Sequence, residues 1–183
     1  MLYKALYCLL PLISCSNSVL SNAEAVNSTN IDIQDSVRCT IECLAGDTIK
    51  YEYNIMSSEV TPDSIDGKIR VILRPFPAYY GFTKIYKSND GDWLDVFIFS
   101  ENPLERGSNH HFTPQYLVYL LDQGVEDCKL VCSNNEITDM NIIEIITFMQ
   151  NYSTDKIEIK KIQKIESIKQ FIDIIINLNL IYQ

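Results

Sequence analysis

The amino-acid sequence predicts an α+β domain, with a β-rich core and helices packed outside it. Three observations carry that expectation. Between residues 37 and 132, short stretches rich in β-branched and aromatic residues alternate with period two and are separated by turn residues. Several short strands at close intervals suggest a barrel or a sandwich. After Asn135 the apolar period becomes helical, with Ile142, Ile143, Ile145, Ile146 and Met149 recurring on one side. Finally, 46% of the 183 residues are hydrophobic, with only 6 Gly and 6 Pro. That is enough apolar chain to bury one core, and too much for a solvated coil.

The elements follow in order. The chain opens on Met1-Leu2-Tyr3-Lys4 and an apolar run over 5–13, broken by Pro11. A run of roughly ten apolar residues is too short to span a bilayer and has the length of a signal-peptide core. Residues 1–23 are therefore expected to be a signal peptide. Leu12-Ile13-Ser14-Cys15 is similar to the bacterial lipobox, and Ser21-Asn22-Ala23 offers an alternative cleavage site after Ala23. Export is expected, to the periplasm or to a lipid-anchored place on the membrane; without a working signal the chain would stay cytoplasmic. Residues 16–35 are polar and read as a flexible tether, so the folded domain is expected at 36–183. Within it, 37–42 and 48–53 flank the turn Leu44-Ala45-Gly46-Asp47, which predicts a hairpin. A loop follows over 56–66, then a strand over 68–73 ended by Pro75 and Pro77. Strands are expected at 79–86 and 93–100, flanking a turn with Asp90-Gly91, and again at 115–121 and 129–132. Thr138 or Asp139 can cap the first helix. Ile157, Ile159 and Ile162 alternate as a strand, and Ile165, Ile168, Phe171, Ile172, Ile175 and Ile176 form the stripe of a second helix.

Charge narrows the function. There are 15 Lys plus Arg against 24 Asp plus Glu, a net charge of −9. A general nucleic-acid binder is excluded on that balance, because nothing offsets phosphate repulsion. The acidic residues are clustered. Asp90-Gly91-Asp92-Trp93-Leu94-Asp95 places three carboxylates within six residues, and such repulsion is relieved by a cation among them. Hard oxygen ligands without nearby His or Cys point to Mg²⁺, Ca²⁺ or Mn²⁺ rather than zinc. The spacing does not fit an EF-hand. A second cluster, Asp122-Gln123-Gly124-Val125-Glu126-Asp127-Cys128-Lys129, adds a lysine. A third comprises Glu42 and Lys50-Tyr51-Glu52, where Lys50 and Glu52 share a strand face. Carboxylates for metal and lysines for an anion around one cavity are the chemistry of phosphate handling.

Together these segments resemble the soluble family I inorganic pyrophosphatases. Asp90-Gly91-Asp92-Trp93-Leu94-Asp95-Val96 is similar to that family's Asp-Gly-Asp-Pro-x-Asp-Val. Phe76-Pro77-Ala78-Tyr79-Tyr80-Gly81-Phe82 is similar to its Tyr-Pro-x-Asn-Tyr-Gly-Phe/Tyr. Glu42 with Lys50-Tyr51-Glu52, and Asp122, Asp127 and Lys129, stand at the family's spacings, and Asn102-Pro103-Leu104-Glu105-Arg106-Gly107-Ser108 resembles the loop after the signature strand. The resemblance implies a five-stranded OB-like closed β-barrel with flanking α-helices. It implies hydrolysis of inorganic pyrophosphate to two phosphates with several Mg²⁺ ions, Mn²⁺ being a substitute. Asp90, Asp95, Asp127, Asp122 and Glu52 would hold metal. Asp92 would act as general base on a metal-bridged water, with Tyr80 in the catalytic set. Lys50, Arg70, Lys129, Tyr152 and Glu42 would bind substrate, with Lys68 as the alternative to Arg70. A homo-oligomer, a hexamer as in many bacterial members, is implied too.

The chain departs from the family at Phe76 for Tyr, Tyr79 for Asn, Trp93 for Pro and Ser153 for a phosphate-binding Lys. Trp93 is expected to add bulk near the metals. The carboxylates are retained and the losses fall on the phosphate side. The alternative function is therefore a catalytically weak or inactive metal- and phosphate-binding relative. Of the 6 cysteines, Cys39, Cys43, Cys128 and Cys132 lie in the domain, with disulfides and buried thiols both open. The pair His110-His111 is expected in a loop, and Lys156, Lys160, Lys161 and Lys164 on a solvated strand face.

Overall fold

The computed structural model describes residues 31–32, 35–87, 91–152 and 157–181. The expected signal segment, most of the tether, Asp90, Ser153 and Lys156 lie outside the described residues. Eleven strands and two helices follow one another: β1 (Ile31–Asp32), β2 (Ser36–Cys43), β3 (Tyr51–Asn54), β4 (Glu59–Pro62), β5 (Ser64–Ile65), β6 (Lys68–Ile69), β7 (Tyr79–Lys87), β8 (Trp93–Phe99), β9 (Asn109–Asp122), β10 (Val125–Ser133), α1 (Asp139–Gln150), β11 (Ile157–Lys164) and α2 (Ile168–Ile181). The mixed α+β class is as expected, but among the described residues the strands number eleven in three sheets rather than five.

Seven strands form the main sheet, in the order β1-β2-β7-β8-β10-β9-β11, and β2 also pairs with β9. All its ladders are antiparallel except β8 with β10, which run parallel with Lys129 opposite Asp95. Over 96–98 and 130–132, strands β8 and β10 are apolar on both faces, and the structure shows why. Leu94, Val96, Ile98, Leu117, Leu130 and Cys132 pack into one core with Phe171 and Ile175 of α2. Their neighbours Phe97, Val118 and Val131 face the other way, into a second core with Ile142, Ile145 and Phe148 of α1. Successive side chains point to opposite faces, so strands covered on both sides read as continuous apolar runs. Each fully buried Leu, Ile, Val or Phe contributes about 1.5–3 kcal/mol.

Three local features set the register. Gly81 stands opposite Ile41, so close that a Cβ there would lie 1.9 Å from the Thr40 carbonyl oxygen. Gln123 and Gly124 both take positive φ, 52° and 86°. They make the two-residue turn from β9 to β10, with Asp122 opposite Val125, as primed hairpin turns require. Thr138 caps α1 in a reciprocal box with Asn141, which satisfies two orphan N–H groups.

Several expectations are corrected. The turn over 44–47 exists, with the Leu44 N–H donating to Asp47 Oδ2 at 2.6 Å. No hairpin follows it, because Gly46 and Asp47 bond to Phe76 instead. The partner of β3 is β4, within the expected loop, joined by a turn in which Asn54 Oδ1 accepts the Met56 and Ser57 N–H groups. The strand expected over 68–73 is confined to β6, paired with β5, and Val71 makes only an isolated bridge to Ile49. His110 and His111 lie in β9, not a loop. Cys39, Cys43, Cys128 and Cys132 are buried free thiols. No described helix is long and apolar enough to cross a membrane.

Candidate active site

On the α1 face, where the second core reaches the surface, a cavity of ≈160 Å³ opens between β7, β8, β10 and α1. Nine residues singled out from the sequence line it: Lys50, Arg70, Tyr80, Asp92, Asp95, Asp122, Asp127, Lys129 and Tyr152. The parallel pairing of β8 with β10 explains the centre. Asp95 and Lys129 are ladder partners, and Asp127 shares the Lys129 face of β10. The Lys129 ammonium lies between the two carboxylates, in close contact with Asp95 and 2.6 Å from Asp127 Oδ2. Burial pushes this amine down, but Asp95 and Asp127 outweigh it and hold Lys129 above its ordinary range. For Asp127 burial dominates, raising its carboxyl despite the opposing pull of Lys129. Asp122, at the end of β9, has Oδ1 buried with no hydrogen-bond partner. A buried unpaired carboxylate oxygen is costly and calls for a partner.

The opposite wall is cationic and aromatic. Lys50 pairs with Glu52 at 2.8 Å. Arg70 pairs with Asp63 at 3.4 Å, and its guanidinium lies 5.1 Å from the Tyr152 ring centroid. Burial raises the Tyr152 phenol, with Lys50 and Arg70 pulling it back. Burial, reinforced by Asp95, pushes the Tyr80 phenol well above its ordinary value, so it remains a hydrogen-bond donor at neutral pH. Beneath the polar groups Phe76 stacks on Tyr80 at 5.1 Å and packs against Phe148 at 4.9 Å. Phe76, Phe97, Phe148 and Met149 form the apolar floor.

The remaining sequence candidates stand elsewhere. Lys68 is exposed on β6 and does not line the cavity, whereas Arg70 does. Glu52 is half-exposed and paired with Lys50, and it does not line the cavity. Nor does Glu42, which is buried and accepts the Tyr53 N–H at 2.8 Å. Burial and, secondarily, Asp95 raise the Glu42 carboxyl from 4.5 to about 7, against the lowering Tyr53 bond. Trp93 adds no bulk to the cavity, contrary to expectation; its ring lies 4.7 Å from Lys87 Nζ. Sequence reasoning missed Phe97, Leu120 and Ile157 in the lining and Asp63 as the partner of Arg70. Apolar residues carry no mark that separates a cavity floor from any other core. A second, larger cleft of ≈320 Å³, between Arg74, Pro75, Pro77 and α1, lacks the carboxylates and paired cations of the first.

A metal fits this donor set in kind. The carboxylates offer hard oxygens, and the unpartnered Asp122 Oδ1 leaves one of them available to a cation. Yet among the described residues no three His, Cys, Asp or Glu are gathered as a ready metal cluster. Lys129 stands between Asp95 and Asp127, in contact with both. The arrangement therefore sets paired cations, Lys50 and Arg70, beside two carboxylates that share one ammonium.

Comparison with known proteins identifies the family. The inorganic pyrophosphatase family model matches residues 39–176. An inorganic pyrophosphatase of Sulfolobus acidocaldarius is 30% identical over 111 residues, 61% of this chain and 62% of that one. The chain thus spans under two thirds of that relative's length. An inorganic pyrophosphatase of Mycoplasma pneumoniae is 28% identical over 157 residues, covering 76% of this chain and 82% of its own. The crystal structure of inorganic pyrophosphatase from Thermus thermophilus superposes with a TM-score of 0.66 at 19% identity, covering 83% of this chain and 94% of that one. At that identity the likeness shows the fold alone.

Proposed function

We propose, from the premise that the chain belongs to the inorganic pyrophosphatase family, that it hydrolyses inorganic pyrophosphate to two phosphates with divalent cations, Mg²⁺ first among them. One observation carries the proposal: residues from six separate segments, chosen for phosphate chemistry, line a single cavity. Lys50, Arg70 and Lys129 would take the phosphate oxygens, Arg70 as a fork and the lysines as point charges. Tyr152 and Tyr80 would donate hydrogen bonds. Asp92, at the cavity mouth just before β8, would orient the attacking water and take its proton. The water oxygen bonds to one phosphorus as the bridging P–O bond breaks, and the leaving phosphate keeps the bond pair.

Asp95, Asp122 and Asp127 would hold the cations, with Asp90 as a further ligand. Bound Mg²⁺ would share the charge of the phosphate oxygens and acidify the attacking water. Lys129 would then turn from the carboxylates to the substrate, exchanging one pair of charges for another. Glu52 would serve metal, or hold Lys50 ready, and Glu42 would support from beneath.

A second reading, a catalytically weak relative, is favoured by Phe76. It presents a bare ring to the cavity where the family carries a tyrosine hydroxyl. Phosphate release from pyrophosphate with Mg²⁺, set against Asp92→Asn, decides between the two. Loss of a general base should lower the rate roughly 10²–10⁴-fold. Equal rates for the two proteins would defeat the enzymatic reading.

Three further proposals accompany this one. The pairing order β2-β7-β8-β10-β9, returning to β2, supports an OB-like closed barrel. The apolar 5–13 run and the small residues near Cys15 and Ala23 support export, which intact Met1 on the native protein would disprove by mass spectrometry. Family membership supports a homo-oligomer, checked by light scattering.

A further inference from the structure

Outside the cavity, one charged residue touches every segment of its cationic wall at one remove. Arg106 sits in the loop between β8 and β9, and that loop is tied down on both sides. The Gly107 N–H donates to Ile41 O at 2.7 Å, and the Ile41 N–H donates to Ser108 O at 3.0 Å. From this fixed base Arg106 Nη2 donates to both carboxylate oxygens of Asp47, each at 2.7 Å. Its guanidinium carbon lies 4.0 Å from the Tyr51 ring centroid. Stacking and a charge-assisted bond together fix a guanidinium plane more firmly than either alone.

The two groups that Arg106 holds flank Lys50. Tyr51 is its chain neighbour, and Asp47 ends the turn before it. Asp47 O accepts the Phe76 N–H at 2.9 Å, and the Gly46 N–H donates to Phe76 O at 2.8 Å. The Lys50 N–H donates to Arg70 O at 3.0 Å. Lys50, Arg70 and Phe76 all line the cavity; Lys50 belongs to the 44–51 segment, and Arg70 and Phe76 are hydrogen-bonded to it.

We propose that Arg106 is a positioning residue for substrate binding: clamped on Asp47 and Tyr51, it holds Lys50 and Arg70 at the spacing an anion needs. The inference rests on the pyrophosphatase reading. It adds to it a residue that touches neither substrate nor metal. A lysine at 106 would keep the charge and could still reach Asp47, but would lose the planar stack on Tyr51, so Arg106→Lys should recover only part of the effect.

The test uses the full chain with Arg106→Met, Arg106→Lys and Asp47→Asn, the last guarding against a variant that fails to fold. KM and kcat are measured for Mg²⁺-pyrophosphate, and the affinity for inorganic phosphate by calorimetry. Arg106→Met should raise KM and weaken phosphate binding by roughly tenfold, with kcat within about twofold, since the clamp supplies binding rather than chemistry. Arg106→Lys should lie between Met and the native residue, and Asp47→Asn should follow Arg106→Met. A lowered melting temperature with unchanged KM and phosphate affinity would overturn the proposal, leaving only a structural role. Absence of turnover in the unsubstituted chain would instead defeat the pyrophosphatase reading; the phosphate affinities would still decide the clamp.

Discussion

Replacing Glu42 with Gln should make the protein more stable at alkaline pH, although it removes a buried group from the neighbourhood of the site. Glu42 is 8% exposed and its carboxyl is raised from 4.5 to about 7, chiefly by burial. The folded state thus binds its proton more tightly than the unfolded chain does. Below the unfolded value both states are protonated and the group contributes nothing to pH dependence. As pH rises through the interval the unfolded chain ionises first, so stability falls and levels off above the folded value. Two to three pKa units at 1.36 kcal/mol each amount to ~3 kcal/mol across the whole interval, of which about 2 kcal/mol lies between about pH 5 and pH 8. A glutamine keeps the oxygen that accepts the Tyr53 N–H and cannot ionise. Urea unfolding of both proteins in chelator, followed by circular dichroism, gives the two stability curves. Glu42→Gln should match the native chain near pH 5 and exceed it by about 2 kcal/mol near pH 8. Parallel curves, or a gain confined to the acid side, would refute the reasoning.

The other expectations concern the site and the frame. Lys129→Met leaves Asp95 and Asp127 facing each other and should destabilise the metal-free protein by roughly 3–5 kcal/mol. Added Mg²⁺ should then raise its melting temperature more than that of the native chain; no added response would argue against cation binding by these carboxylates. Gly81→Ala places a Cβ against the Thr40 carbonyl and should lower stability by roughly 3 kcal/mol or leave the chain unfolded on expression. Thr138→Ala removes the α1 cap and should lower stability by ~1 kcal/mol in urea titration. Cys39, Cys43, Cys128 and Cys132 are buried thiols, with Cys43 and Cys128 pushed up to about 12 by burial. They should react with a thiol reagent only on unfolding, and fast reaction of the native protein would contradict their burial.

Features carried by neighbouring residues are legible in the sequence alone. The turn at Gln123-Gly124, the Thr138 cap and the helical period of α1 are written within a few positions. Strands β7, β8 and β11 stand close to where alternation places them. Features that depend on distant partners are not legible. The 44–47 turn looks like a hairpin because local alternation cannot say which strand will take the ladder. In the folded chain Phe76 claims the turn's hydrogen bonds and β4 claims β3.

The same division runs through the site. By itself the sequence determined the chemistry: which carboxylates, cations and phenols are present, and in what order, because side-chain identity and motif spacing are covalent facts. Only the tertiary structure decided who meets whom. Lys129 and Asp95, 34 residues apart, are brought together by parallel strand pairing. Glu42 is withdrawn beneath the surface, and Asp122 is left with an unpaired buried oxygen. Arg106 reaches across to Asp47, 59 residues away. Such contacts are set by register and burial summed over the whole fold, and no local stretch of sequence contains them.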